Sequence, residues 1–216
     1  MKRFLLALSV LFAFSVQAQD YQFDYLLEYV NGSGDAVNYY INSKDKSYVL
    51  NDSEFQNIIR EDYVISFNIS LKGEKRITSV FADKFEDNPA KVEEIKWDHS
   101  LITENGFKCR KYIYKTLVVD GEGDEAVTRP ITYEMYIMDD PLNTLATLNQ
   151  NELLFPDNIK FEGLPKGTIV RFKNIEDDYF SEYDVLILKK ITKLDKPVTM
   201  EIDNKQVMKF LLKNQD

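Results

Sequence analysis

The chain contains one cysteine, Cys109, and one histidine, His99. Thiol and imidazole are the pair from which a nucleophile and its base are built. Such a pair also needs a shared geometry and a third group to orient the ring, and sequence proximity supplies neither. Cys109 lies in Asn105-Gly106-Phe107-Lys108-Cys109-Arg110-Lys111. In an extended strand Phe107, Cys109, Lys111 and Ile113 share one face. Free cysteine is among the most buried residue types and behaves as a small hydrophobe. The expectation is a structural Cys109 turned toward the core beside Phe107, with Lys111 the one misfit in its row. His99, within Trp97-Asp98-His99-Ser100, falls at a strand end or turn and reads as a surface residue. One histidine and one cysteine also fall short of a four-ligand transition-metal site.

Carboxylates are the other chemistry-bearing groups. Asp120-x-Glu122-x-Asp124 sets three of them at alternate positions around glycines. It could offer oxygens to calcium, but it lacks the sixth-position glycine and distal glutamate of an EF-hand loop. It reads as an acidic hairpin tip, and Glu176-Asp177-Asp178 as a solvated acidic loop. A glycosidase pair is defined by its separation in space, and no two carboxylates are marked out by context. No catalytic residue, cofactor or metal is assigned from the sequence.

Bulk charge narrows the partners. There are 27 Lys and Arg against 36 Asp and Glu, a net charge of −9. Nucleic acid requires a basic surface against its phosphates, and an anionic membrane surface requires one too. Lys108-Arg110-Lys111 and Lys189-Lys190 are local basic patches, read as solvated strand faces. Lys2 and Arg3, an apolar run over 4–16 and Val16-Gln17-Ala18 have the form of a secretory leader, cut before Gln19. The run is too short to span a bilayer, which takes about 20 residues. No cysteine follows the cleavage site to carry a lipid, so the mature chain is expected to be soluble, and secreted or periplasmic. With one cysteine it has no internal disulfide, and its stability must come from its core. Asn31, Asn51 and Asn68 begin Asn-x-Ser tripeptides, which matter only in a glycosylating host.

The elements that must position these residues read as strands. Residues 22–30 alternate, with Phe23, Tyr25, Leu27 and Tyr29 on one face, and Asn31-Gly32-Ser33-Gly34 turns the chain. Further strands are expected over 36–41, 47–50, 62–69, 76–81, 92–97, 107–119, 131–138, 168–174 and 183–192. Residues 141–150 have helical character. Residues 203–212 suit a closing helix with Asp203 as its N-cap, or a final strand. No linker or repeat divides the chain, so 1–18 is leader and 19–216 one domain. About ten strands with short connections imply a mostly antiparallel sheet that must curl, close or split.

Three motifs occur in order. They are Gly106-Phe107-Lys108-Cys109-Arg110-Lys111, the segment 133–141 containing Tyr136, and Lys160-Phe161-Glu162-Gly163-Leu164-Pro165-Lys166-Gly167-Thr168-Ile169. Together they resemble the GLPGLI family of secreted Bacteroidota proteins, or a related family with a Gly-aromatic-x-Cys stretch. Lys166-Gly167 departs from the family's Gly-Leu, and Tyr136 stands where a tryptophan is usual. The resemblance covers roughly residues 105–170. It implies an all-β curved sheet, akin to the half-barrel of periplasmic lipoprotein carriers, and carries over no catalytic residue. By its own chemistry Gly163-Leu164-Pro165 reads as a rigid corner that sets Phe161, Leu164 and Ile169 into the core.

The expected function is a non-enzymatic envelope protein whose curved sheet holds a hydrophobic ligand such as a lipid or acyl chain. The alternative is a protein–protein interaction module of the envelope. A carboxylate-dependent hydrolase ranks last.

Overall fold

A computed structural model describes residues 19–45, 48–52, 56–60, 63–69, 75–82, 91–120, 127–139, 142, 165, 167–175 and 185–213. Residues 1–18, expected as a leader, the segment 141–150, expected to be helical, apart from Leu142, Glu122, Asp124, the acidic run 176–178, and Phe161, Gly163 and Leu164 lie outside these residues.

Twelve strands and one helix are described. They are β1 (Gln19–Asn31), β2 (Ala36–Ile41), β3 (Tyr48–Asp52), β4 (Gln56–Arg60), β5 (Tyr63–Ile69), β6 (Lys75–Ala82), β7 (Lys91–Trp97), β8 (Ile102–Glu104), β9 (Phe107–Asp120), β10 (Val127–Met138), β11 (Thr168–Asn174), β12 (Val185–Ile202) and α1 (Asn204–Lys213). The sheet is antiparallel and open, in the order β6-β5-β4-β3-β2-β1-β12-β11-β10-β9-β7, with β8 added to β9. Two meanders, β1 to β6 and β9 to β12, are thus joined where the first strand pairs with the last. Among the described residues no helix is long and apolar enough to cross a membrane.

Turn chemistry fixes the hairpins. The Asn31 side-chain carbonyl accepts the amides of Ser33 (3.1 Å) and Asp35 (2.8 Å), and Gly34 sits at φ +90°. Asn105 and Gly106, at φ +50° and +85°, form the two-residue connection that puts Glu104 opposite Phe107. Asparagine followed by glycine is the preferred pair for a hairpin turn with both central residues at positive φ.

The sheet buries both of its faces over β3 and β4. One row crosses it as Ile41, Val49, Ile59 and Val64, each directly opposite the next. These join Leu27, Tyr29 and Tyr39 in a cluster with Tyr114, Tyr133, Met135 and Phe172 from the other meander. The two halves of the curved sheet therefore share an inner core. On the outer face Leu50, Ile58, Ile65 and Val80 join a second cluster, covered by α1 through Val207, Phe210 and Leu211. Asp203 caps this helix, its carboxylate accepting the Lys205 amide at 2.9 Å, so the closing segment is helical as the capping pattern predicts.

Several boundaries differ from the sequence reading. β4 and β8 are additional strands. β12 does not stop near Thr192 but runs to Ile202, through Pro197. Phe23 pairs with Val198 and Tyr25 with Lys193, so residues 194–197 all fall opposite Asp24. A proline, which has no amide to donate, is tolerated in such an interruption. Beside it β2 ends its pairing at Ile41, and side chains take over the edge of β1. The Tyr48 hydroxyl accepts the Gln22 amide at 3.3 Å, and the Asn42 amide donates to the Gln22 carbonyl at 2.8 Å. The Asp24 carboxylate accepts the amide and hydroxyl of Ser43 at 2.7 and 2.6 Å.

Among the described residues, β11 and β12 pair between Arg171, Phe172 and Lys173 on one strand and Ile187, Leu186 and Val185 on the other. The Ile169 carbonyl accepts the Tyr29 hydroxyl at 2.8 Å from β1.

Candidate functional site

The motif residues are set by the β9–β10 pairing. Met135 lies opposite Tyr112 and Tyr133 opposite Tyr114, and all four are buried. The inner face of β9 is therefore that of Tyr112 and Tyr114, not that of Phe107, Cys109 and Ile113. Cys109 is nonetheless part of the core, as expected: the residue is 1% exposed and belongs to the same buried cluster as Tyr112, Tyr114 and Met135. It lies opposite Ile102 of β8, with its sulfur 4.0 Å from the Ile102 carbonyl, and half-buried Ile102 and Phe107 pack there. Lys111 is the residue that marks this row as outer, because its ammonium would otherwise enter the core.

Lys111, Tyr136 and Arg171 form one row across β9, β10 and β11. The Lys111 ammonium lies 5.7 Å and the Arg171 guanidinium carbon 5.6 Å from the centre of the Tyr136 ring. Each cation also has a carboxylate, Glu134 for Lys111 and Glu104 (3.1 Å) for Arg171. The Glu134 hydrogen bond holds the Lys111 ammonium above its ordinary range. The Glu104–Arg171 pair ties the β8–β9 hairpin to β11. The row is a structural clamp with its charges matched, and the motif thus brings Cys109, Lys111 and Tyr136 onto one surface. Pro165 is exposed, while Ile169 is buried as expected. Gly167 is needed for close approach: a Cβ there would meet the Met138 carbonyl and come within 2.7 Å of Ile137.

Nothing in this surface makes a catalytic couple. Burial pushes the Cys109 thiol above its ordinary value, the opposite of what a reactive thiol needs. His99 is exposed and leans on the Trp97 ring at 4.3 Å. With Lys96, Asp98, Lys111 and Ile113 these two rings line a shallow groove at the end of β7. Among the described residues no three His, Cys, Asp or Glu side chains gather as a metal site.

The inner face holds a different kind of site. Tyr39, Asn51, Asn57 and Ser66 stand directly opposite one another across β2, β3, β4 and β5. They occupy the same face as the apolar row Ile41, Val49, Ile59 and Val64, two positions along each strand. Tyr39, Asn51 and Asn57 are only 1%, 2% and 4% exposed. The Ser66 hydroxyl donates to the Asn57 carbonyl at 2.7 Å. The Tyr39 hydroxyl and the Asn51 side-chain carbonyl have no hydrogen-bond partner among the described residues. Burial pushes the Tyr39 phenol well above its ordinary value, and neighbouring Tyr29 adds to it, so the group stays neutral. Sequence reasoning passed over this row. Its signal was an asparagine at the inward phase of each of two adjacent strands, Asn51 two residues after Val49 and Asn57 two before Ile59.

No family model, no curated protein and no solved structure matches this chain.

Proposed function

We propose that the protein is a non-enzymatic envelope protein, secreted or periplasmic, that holds a hydrophobic ligand against the inner face of its curved sheet. One observation carries the reading: an apolar inner face that also buries polar atoms it leaves unpaired. Ligand sites are mostly apolar, with a few placed polar groups that fix orientation. Leaving a hydroxyl or amide carbonyl buried and unpaired costs roughly 1–3 kcal/mol each. A ligand that supplies the missing partner offsets that cost. The leader-like N-terminus and the resemblance to a secreted family support the address. The test is native mass spectrometry of the protein purified after secretion, before and after delipidation. An adduct that is lost on delipidation and regained with added lipid is the expected result. A single apo mass throughout, with no uptake of added lipid, would overturn the reading.

A second reading has its own observation. β7 ends the sheet and carries Trp97, which is 51% exposed, so this edge could receive a partner strand. An envelope protein captured by the wild type but lost with Trp97→Ala would favour it.

A further inference from the structure

The chain has a single tryptophan, and its ring is displayed in a groove rather than packed away. Trp97 lies opposite Tyr112 of β9, the two rings parallel to within 4° and 6.1 Å apart. Buried Tyr112 steadies the indole, which stays half exposed. The exposed His99 ring stands 4.3 Å from the indole, tilted by 52°. The turn that carries His99 is fixed by its own hydrogen bonds. The Asp98 amide donates to the Lys111 carbonyl at 3.2 Å, and Asp98 Oδ1 accepts the amide and hydroxyl of Ser100 at 2.9 and 2.5 Å. Both rings are therefore set before any ligand arrives. Lys96, Asp98, Lys111 and Ile113 complete the groove. Its volume of about 330 Å³ is at the small end of the roughly 300–1,000 Å³ found for ligand sites.

The charges of the lining select a neutral ligand. The Lys96 ammonium is paired with Glu94 at 2.8 Å and the Lys111 ammonium with Glu134, so neither is left over for an anion. The same two ammoniums oppose a cation, although an exposed indole alone would attract one. Hydrogen-bonding capacity remains. The Asp98 carboxylate has a second oxygen, the His99 ring has two nitrogens, and each ammonium has three donors. A neutral molecule with one apolar face and a rim of hydroxyls matches this lining. A pyranose ring is such a molecule. Its axial C–H bonds make a face that lies on the negative face of an aromatic ring, and its equatorial hydroxyls bond outward. We infer that the groove is a saccharide site, with Trp97 as the platform under a sugar ring and Asp98 and His99 bonding to its hydroxyls. The groove shares no residue with the inner row of Tyr39, Asn51, Asn57 and Ser66, so this site stands apart from the proposed hydrophobic ligand.

Because the chain has one tryptophan, its emission reports on this groove alone. The experiment titrates the protein with five neutral sugars: cello-, malto-, manno-, xylo- and N-acetylchitohexaose. At least one should shift the emission saturably and shield the indole from quenching by acrylamide. Calorimetry should then show binding about tenfold weaker in Trp97→Ala, the upper worth of a stacked ring pair. Trp97→Phe keeps an aromatic face and should regain part of that loss. Asp98→Asn should weaken binding roughly fivefold, since charge-assisted hydrogen bonds are about twice as strong as neutral ones. Circular dichroism checks that each variant is folded, and the two conservative variants carry the test if Trp97→Ala is not. No response to any of the five sugars would overturn the inference. Undiminished affinity in the folded Trp97 variants would do the same, because the sugar would then sit elsewhere. Equal binding of anionic polygalacturonate would remove the preference for a neutral ligand, and an equal response to benzyl alcohol would remove the role of the hydroxyl rim. Either result would also overturn the inference.

Discussion

Cys109 and Asp24 show how burial acts on single residues. The thiol is enclosed in the core beside Ile102 of β8, and burial raises its pKa. Dithiobisnitrobenzoate should therefore label it slowly in the native protein and completely in urea. Rapid native labelling would contradict its enclosure. Burial alone would also raise the Asp24 carboxyl, but the hydroxyl and amide of Ser43, with Lys193 nearby, outweigh it and hold the pKa below the usual value. A carboxylate depressed in this way adds stability above its unfolded pKa of about 3.9, and loses it as pH falls through the folded value. Asp24→Asn should accordingly unfold at lower urea than the wild type at neutral pH. The gap should close in acid, and a gap that persists there would show that the charge is not what matters.

At the scale of elements, the capped helix gives the clearest expectation. Asp203→Ala removes the acceptor for the Lys205 amide and should cost about 1 kcal/mol. Equilibrium unfolding followed by circular dichroism would measure it. Alternation of aromatic and aliphatic residues made most strands legible, and Asn105-Gly106 and Asp203 marked their turn and cap without tertiary help. The misses have physical causes. β4, Gln-Asn-Ile-Ile-Arg, is buried on both faces and so shows no alternation. β8 is three residues long and exists only through its pairing with β9. β12 runs past residue 192 because the excursion of 194–197 opposite Asp24 accommodates Pro197 and lets the strand continue. The inner face of β9 was ambiguous because both of its rows contain hydrophobic residues. β10, with Tyr133 and Met135, decides between them. For the candidate site, the sequence displayed Cys109, Lys111 and Tyr136 but not their common surface. It gave no hint that Tyr39 and Asn51 would be left unpaired, because that depends on what the opposite meander brings.

For the whole molecule, the seam between β11 and β12 is, among the described residues, the shortest ladder along the sheet order from β6 to β7. The two meanders are held there by a short ladder, the inner core and the Tyr29–Ile169 hydrogen bond. Tyr29→Phe should lower stability by about 1–3 kcal/mol, the cost of leaving a buried carbonyl unmet. Amide exchange should quicken mainly along β11. Exchange that quickens evenly over the sheet would show that the seam opens only with global unfolding. The strand order carries a further consequence. β12 follows every other described strand along the chain, yet it stands in the interior of the sheet beside β1. Each meander can assemble from near neighbours along the chain, but joining them requires closing a loop that contains β2 to β11. Until then each half has an open edge and an exposed apolar face, which are the features that recruit other chains. The nascent protein should thus depend on escort until β12 has been made, and folding yield should fall sharply in chains truncated before β12.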